Sequence, residues 1–177
     1  EAGRAAWRQA HLPGAGYAHL DQDLSDKTRP AAEGRHPLPD EGAFAALLGR
    51  LGIGPGDQVV AYDAGDGAMA AARLWWLLRL WGHARVAVLD GGLAAWRARG
   101  LPLDSRVPTP KPAYAGRFDR AQVVGSAQVQ ARLGEPPGWL LDARAPERFR
   151  GEVEPLDPVA GHIPGARNRP FQANLAG

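Results

Sequence analysis

Between residues 40 and 100 the apolar positions switch repeatedly between two periods. In DEGAFAALLGRLG, Phe44, Leu47, Leu48 and Leu51 recur at helical spacing behind Asp40, which can cap the first turn, and Gly52 can close the last. After the loop GIGPGD, the run QVVAYD at 58–63 is β-branched and aromatic and bounded by turn residues, which predicts a buried strand. The stretch from Met69 to Trp81 is apolar on nearly every face and stops at Gly82, so it predicts a helix largely buried against a sheet. Residues 86–89 predict a second strand, and LAAWRARG a second amphipathic helix. Strand, helix, strand, helix at this spacing predicts right-handed crossovers and a parallel sheet, an α/β fold.

Residues 102–117, PLDSRVPTPKPAYAGR, carry four prolines and no apolar period, and read as a linker between domains. Beyond it, SAQVQARLG predicts a helix capped by Ser126, WLLDAR at 139–144 a strand, and APERFRGE a loop with room for one helical turn. The motif His-[Leu/Ile]-Pro-Gly-Ala occurs twice, at His11 and His162, about 150 residues apart, a reasonable domain period. WLLDAR precedes the second copy, whereas the first has only ten residues before it, so its matching strand is expected upstream of Glu1. The counterpart of QVVAYD in the second copy is likewise expected beyond Gly177. The expected organisation is a fragment. Residues 1–101 form a first domain lacking its first strand, 102–117 a linker, and 118–177 the opening part of a second, similar domain. Exposed sheet edges and aggregation should follow from such a truncation.

Composition narrows the function classes. The 21 basic and 19 acidic residues are interspersed, so the sequence pI near 9.4 reflects arginine usage and offers no clustered basic face for nucleic acid. No apolar run approaches the roughly 18 residues of a membrane span, and the cytoplasm is the expected compartment. Cysteine is absent, which excludes disulfides, thiolate metal sites and a thiol nucleophile within these residues. Asp63 and Asp66, in the loop after the first strand, could be read as metal ligands, but helix capping or solvation is the favoured reading and no metal is expected. His11 and His162 are assigned to the turn, hydrogen-bonding nearby backbone, while His19 and His83 carry no signal. The six tryptophans, among them Trp75, Trp76 and Trp96, are assigned to core packing.

HLPGA and GHIPGA, the run DQDLSD with GRHPLP behind it, ARLWWLLRLWGH followed by VAVLDGGLAAW, and LLDARAPERFRGEVEP together resemble the tandem-domain rhodanese family, the thiosulfate and 3-mercaptopyruvate sulfurtransferases. The resemblance covers nearly the whole chain. It implies a rhodanese-like parallel sheet flanked by helices in each domain, with only the second domain catalytic. There a loop cysteine takes a sulfane sulfur from thiosulfate or 3-mercaptopyruvate and passes it, as a persulfide, to a thiol or cyanide, without metal or organic cofactor. Loop N–H groups and a helix N-terminus favour the anionic sulfur.

By the same resemblance Asp63 stands where the first domain would carry its cysteine, so that domain is non-catalytic. The catalytic cysteine is expected downstream of Gly177 and the chain is expected to be inactive alone. Arg148 matches the arginine that binds the anionic donor, its fork of donors suiting paired oxygens, and Arg150 stands second. Asp142 matches a strand-end carboxylate that orients or braces the loop. Asp21 and His36 match first-domain residues that face the cleft and can relay a proton. In the mercaptopyruvate branch a second arginine follows nine residues after the first; Asp157 stands there in this chain, which tilts the reading toward thiosulfate. The expected partners are the small-molecule donor and a thiol or cyanide acceptor, with no nucleic acid and no membrane, and the full-length protein is expected to be a monomer. The alternative is a non-catalytic rhodanese-like binding or regulatory module.

Overall fold

The computed structural model describes residues 2–30, 33–136 and 138–175, which fall into two compact units, Glu1–Arg120 and Ala121–Gly177. The first unit contains α1 (Ala2–Gln9), α2 (Glu41–Arg50), β1 (Val59–Ala61), α3 (Ala70–Leu80), β2 (Val86–Val88) and α4 (Gly92–Ala98). Asp40 caps α2 as its position predicts, its Oδ1 accepting the Ala43 N–H at 3.0 Å. Gly52, at φ +71°, closes the helix in the left-handed region open to glycine. β1 and β2 pair in parallel, Val59 opposite Val86 and Ala61 opposite Val88, with α3 as the crossover between them. The α/β prediction therefore holds.

Two burial expectations need correction. β1 is buried on one face only: Val59 and Ala61 are covered, while Val60, which must point the other way in a pleated strand, is 49% exposed. Val60 lines a cleft of about 690 Å³ together with Trp7, Tyr17, Leu20, Tyr62 and Leu74. α3 buries Ala71, Leu77, Leu78 and Leu80 but leaves Trp75 exposed, and of the tryptophans only Trp81 enters the core. A helix packed on one side of a two-stranded sheet cannot bury its whole circumference, whatever its composition.

Residues 102–117, expected as a linker, are docked on the first unit. His11 and Asp104 exchange backbone hydrogen bonds at 2.8 and 2.7 Å, the Lys111 N–H donates to the Gly49 carbonyl at 2.8 Å, and the Asp119 N–H donates to that of Leu80 at 2.8 Å. Phe118 anchors the end of this strap, its ring 5.2 Å from Phe44 and 5.0 Å from Trp81. Gly116 lies flat on the Trp81 indole, where a Cβ would come within 2.5 Å of the ring. Prolines keep a segment out of helices and sheet ladders, yet they leave its carbonyls and remaining N–H groups free to dock singly. The division between units accordingly falls after Arg120.

The second unit contains α5 (Ser126–Ala131), β3 (Leu141–Asp142), α6 (Pro146–Phe149) and β4 (Arg167–Asn168). β3 and β4 are parallel, Leu141 opposite Arg167 and Asp142 opposite Asn168. Ser126 begins α5 rather than capping it. Gly125 holds the cap position, and its N–H donates to the Gln128 side chain at 2.8 Å. Among the described residues of this unit no apolar residue is buried, so its internal order rests on polar contacts. Among the described residues, no helix is long and apolar enough to cross a membrane.

Candidate functional site

The two copies of the repeated motif do the same structural work. His11 places Nδ1 2.7 Å from the Trp7 carbonyl and Nε2 3.1 Å from that of Arg106, with its ring stacked on Trp7 at 4.9 Å. His162 places Nδ1 2.7 Å from the Phe149 carbonyl and stacks on Phe149 at 3.7 Å. Each histidine thus ties its turn to an aromatic residue of the preceding helix, as the turn assignment expected. The copies differ in what lies between. Trp7 is directly preceded by Ala6 and followed closely by His11, whereas Phe149 is preceded by Arg148 and separated from His162 by a longer loop carrying Glu152, Glu154 and Asp157. An arginine directly before the aromatic anchor, with an acidic loop between that anchor and the histidine, therefore belongs to the second copy alone.

In the first unit the loop after β1 turns around Asp63. Its Oδ1 accepts the N–H groups of Gly65 and Gly67, each at 3.0 Å, and Oδ2 accepts that of Ala71 at 3.3 Å, in the first turn of α3. Asp66 Oδ1 accepts the Ala68 N–H at 3.0 Å. Both carboxylates serve backbone donors, in line with the capping reading. Among the described residues no three His, Asp or Glu side chains gather as a metal site. The consequence is chemical: the inward amides of a loop that could hold an anionic ligand are already occupied by a fixed carboxylate, and a second anion would meet its charge.

In the second unit β3 ends on Asp142, whose carboxylate forms a forked pair with Arg144, Nη2 to Oδ2 at 2.6 Å. Arg144 also donates to Glu154 at 3.3 Å and to the Gly161 carbonyl at 2.6 Å. Asp142 is therefore committed to Arg144, whose guanidinium holds its carboxyl below the usual range. Arg148, on α6, is engaged on both sides. Its Nε and Nη2 reach Glu154 at 3.2 and 2.7 Å, and Nη2 also reaches Asp157 at 2.9 Å. Glu154 accepts the Leu156 and Asp157 N–H groups as well, each at 3.0 Å, and with Arg148 as the largest cause its carboxyl is pulled from 4.5 down to about 2. Arg150 stands apart, paired with the exposed Glu152 at 2.7 Å.

Glu154 and Arg144 escape a reading by motif. The sequence signal that could have found them is the density of charge in residues 142–157, three arginines and five acidic residues, which forces charge pairing where side chains are partly buried. Their linkage to pH has a definite sign. Carboxyls depressed in the folded state contribute stability that is fully present above about pH 4.5 and lost as the pH falls toward 2. Amide resonances of β3 and β4 should therefore broaden or vanish over that window while those of β1 and β2 outlast them. Glu154→Gln should be less stable at pH 6 and show a shallower acid limb; an unchanged limb would mean that Glu154 does not carry the network.

In the first unit Asp21 and His36 do meet. Asp21 Oδ1 lies 3.1 Å from His36 Nε2 and 3.1 Å from Lys27 Nζ, and Lys27 is the main cause of the lowered Asp21 carboxyl. Both side chains are partly exposed. The loop that carries them is clamped by Arg73 from α3, whose guanidinium donates to the carbonyls of Leu24 at 3.2 Å, His36 at 2.8 Å and Pro37 at 3.1 Å.

These features can be set beside known proteins. The family description "Rhodanese-like domain" matches residues 3–99. A Pseudomonas aeruginosa protein named "Probable 3-mercaptopyruvate sulfurtransferase" is 49% identical over 98% of this chain and 61% of its own length. The human 3-mercaptopyruvate sulfurtransferase is 41% identical over 95% of this chain and 57% of its own, and the chicken thiosulfate sulfurtransferase 33% identical over 97% and 59%. Among solved structures, the Escherichia coli 3-mercaptopyruvate sulfurtransferase SseA superposes with a TM-score of 0.79 at 35% identity, over 93% of this chain and 61% of that one. The chain thus spans about three-fifths of the length of these relatives. A parallel β1–α3–β2 unit with a turn-closing histidine, matched in sequence over more than half of its residues, makes this chain a member of the rhodanese-like family.

Proposed function

We propose that this chain is part of a sulfurtransferase that moves a sulfane sulfur from thiosulfate or 3-mercaptopyruvate, through a cysteine persulfide, to a thiol or cyanide. With thiosulfate, the thiolate attacks the outer sulfur and the S–S bond breaks to release sulfite. Cyanide then takes the terminal sulfur as thiocyanate and restores the thiolate, so no oxidant or cofactor is consumed. Within this scheme the first unit is non-catalytic, Arg148 and, behind it, Arg150 receive the anionic donor, Asp142 braces the loop, and Asp21 with His36 can pass a proton. The cysteine lies in a part of the protein outside these residues, and the protein is a cytoplasmic monomer. The observation that carries the reading is the pairing of a loop filled by Asp63 with a second copy of the motif that alone brings an arginine, Arg148, directly before its aromatic anchor.

The test is thiocyanate formation from thiosulfate and cyanide. The chain of 177 residues should form none above background. The protein extended in its own reading frame beyond Gly177 should form it. Arg148→Gln in the extended protein should lower kcat/KM at least about a hundredfold, since an anion loses a charge-assisted forked contact in the transition state as well as in binding. An extended protein with no cysteine in the loop that corresponds to 63–68, or one with such a cysteine and no turnover of either donor, would make it a binding or regulatory module instead.

A further inference from the structure

The two copies of the histidine motif share one turn: the Ala15 N–H donates to the Leu12 carbonyl at 3.0 Å, and the Ala166 N–H to that of Ile163 at 3.0 Å. Their surroundings differ. His11 is 1% exposed, and residues 104–106 of the strap lie across it. The His11 and Asp104 backbones exchange both hydrogen bonds as an antiparallel bridge, and His11 Nε2 lies 3.1 Å from the Arg106 carbonyl. The Leu12 N–H is held as well, by the Tyr62 hydroxyl at 3.2 Å. This stretch of the strap follows directly on α4, and Trp96 ties the two together, its Nε1 donating to the Pro102 carbonyl at 2.8 Å. His162, by contrast, is exposed, and so is Ile163. Among the described residues nothing bonds the His162 N–H, its carbonyl, its Nε2 or the Ile163 N–H. These are the same four groups that the strap and Tyr62 serve in the first copy.

We propose that the His162 turn is the docking site for an extended segment of the protein's own second domain, the counterpart of the strap. An exposed backbone N–H and carbonyl on one residue can take up extended chain as a bridge. In the first copy Asp104 comes about 90 residues after the histidine, so the occupant lies at about position 255, behind the counterpart of α4. The relatives leave room for it, since the chain spans only 61% of the length of the Pseudomonas aeruginosa protein. The residue that matches Asp104 must carry a backbone N–H, which excludes proline there and tolerates it nearby. The consequence reaches the arginine helix. His162 Nδ1 lies 2.7 Å from the Phe149 carbonyl, and its ring stacks on Phe149, the neighbour of Arg148. A segment that fixes this ring from Nε2 holds the end of α6 in place. The proposal rests on residues 118–177 being the opening of a second, similar domain, and stands whether or not that domain carries a cysteine.

Amide hydrogen exchange reads the docking residue by residue. In the chain of 177 residues the His11 N–H should be protected and the His162 N–H should exchange as an open turn does. In the protein extended in its own reading frame beyond Gly177, protection of the His162 N–H should rise at least about a hundredfold. Deleting the segment should remove that gain. So should a single proline at the position that matches Asp104, a milder change that removes one N–H. Asp104→Pro in the chain of 177 residues gives the scale, since it should expose the His11 N–H while β1 and β2 stay protected. Unchanged His11 protection there would overturn the premise that the bridge covers the turn. A His162 N–H that stays unprotected in the extended protein, or a reading frame that ends before the segment, would overturn the docking. Protection that survives both changes to the segment would overturn the occupant, because another element then covers the turn. Thiocyanate formation is scored separately: a protected turn without turnover of either donor would overturn the sulfurtransferase reading and leave the docking standing.

Discussion

Phe118→Ala is expected to destabilise the first unit by about 3–5 kcal/mol, the cost of removing a buried aromatic ring and leaving a cavity. Phe118 is 3% exposed and closes a three-ring cluster with Phe44 and Trp81, each pair about 5 Å apart at the centroids. Its backbone N–H is also held, donating to the Glu41 side chain at 3.1 Å. Urea unfolding followed by tryptophan fluorescence reads the change directly, because Trp81 is in the cluster. Val107, 70% exposed in the same proline-rich strap, provides the control: Val107→Ala should shift the midpoint hardly at all. A small effect at Phe118 would return this part of the chain to the status of a linker.

The second large effect is expected at Arg73. Arg73→Ala removes the guanidinium that α3 contributes to the loop of Asp21 and His36 and leaves the carbonyls of Leu24, His36 and Pro37 without this donor. Leu24 and Pro37 are buried, so water cannot readily replace the guanidinium there, and a loss of about 3 kcal/mol follows. The guanidinium also lies over the Trp76 ring at 5.0 Å, a contact that ends with it. The distinguishing readout is local: the Asp21–His36 contact at 3.1 Å should dissolve, visible as a loss of the NOEs that join the two ends of this loop. Arg73→Lys should recover part of the stability but not the loop order, since one ammonium cannot serve three carbonyls in a fixed fork. Global destabilisation with an intact Asp21–His36 contact would show that Arg73 packs the helix without positioning the loop.

Local signals were legible because they are short-range. Asp40 and Gly52 bracket α2 through contacts within one turn, and QVVAYD and RVAVLD show their β character in their own side chains. The repeated histidine motif was legible as a turn for the same reason, and the capping role of Asp63 could be weighed because its partners are the next few amides. Proline content, by contrast, misdirected the reading of 102–117, because composition reports what a segment cannot form and says nothing of what it can dock on. Val60 and Trp75 misdirected it in another way: hydrophobicity states a preference for burial, while the number of neighbours available to satisfy it is a property of the assembled layers.

The candidate site divides along the same line. From the sequence by itself came the α/β class, the repeated histidine motif, the absence of cysteine and the family whose motifs place Arg148, Asp142, Asp63, Asp21 and His36 in view. Only the tertiary structure decided what each of those residues touches: that Asp63 fills its own loop, that Arg73 holds the Asp21–His36 loop from a helix far along the chain, and that Glu154 and Asp157 both accept from Nη2 of Arg148. Motifs record which residue types a place in the chain requires. Charge pairing falls off over a few ångströms and depends on which edge of a side chain is covered, so it becomes defined only when the loops have closed.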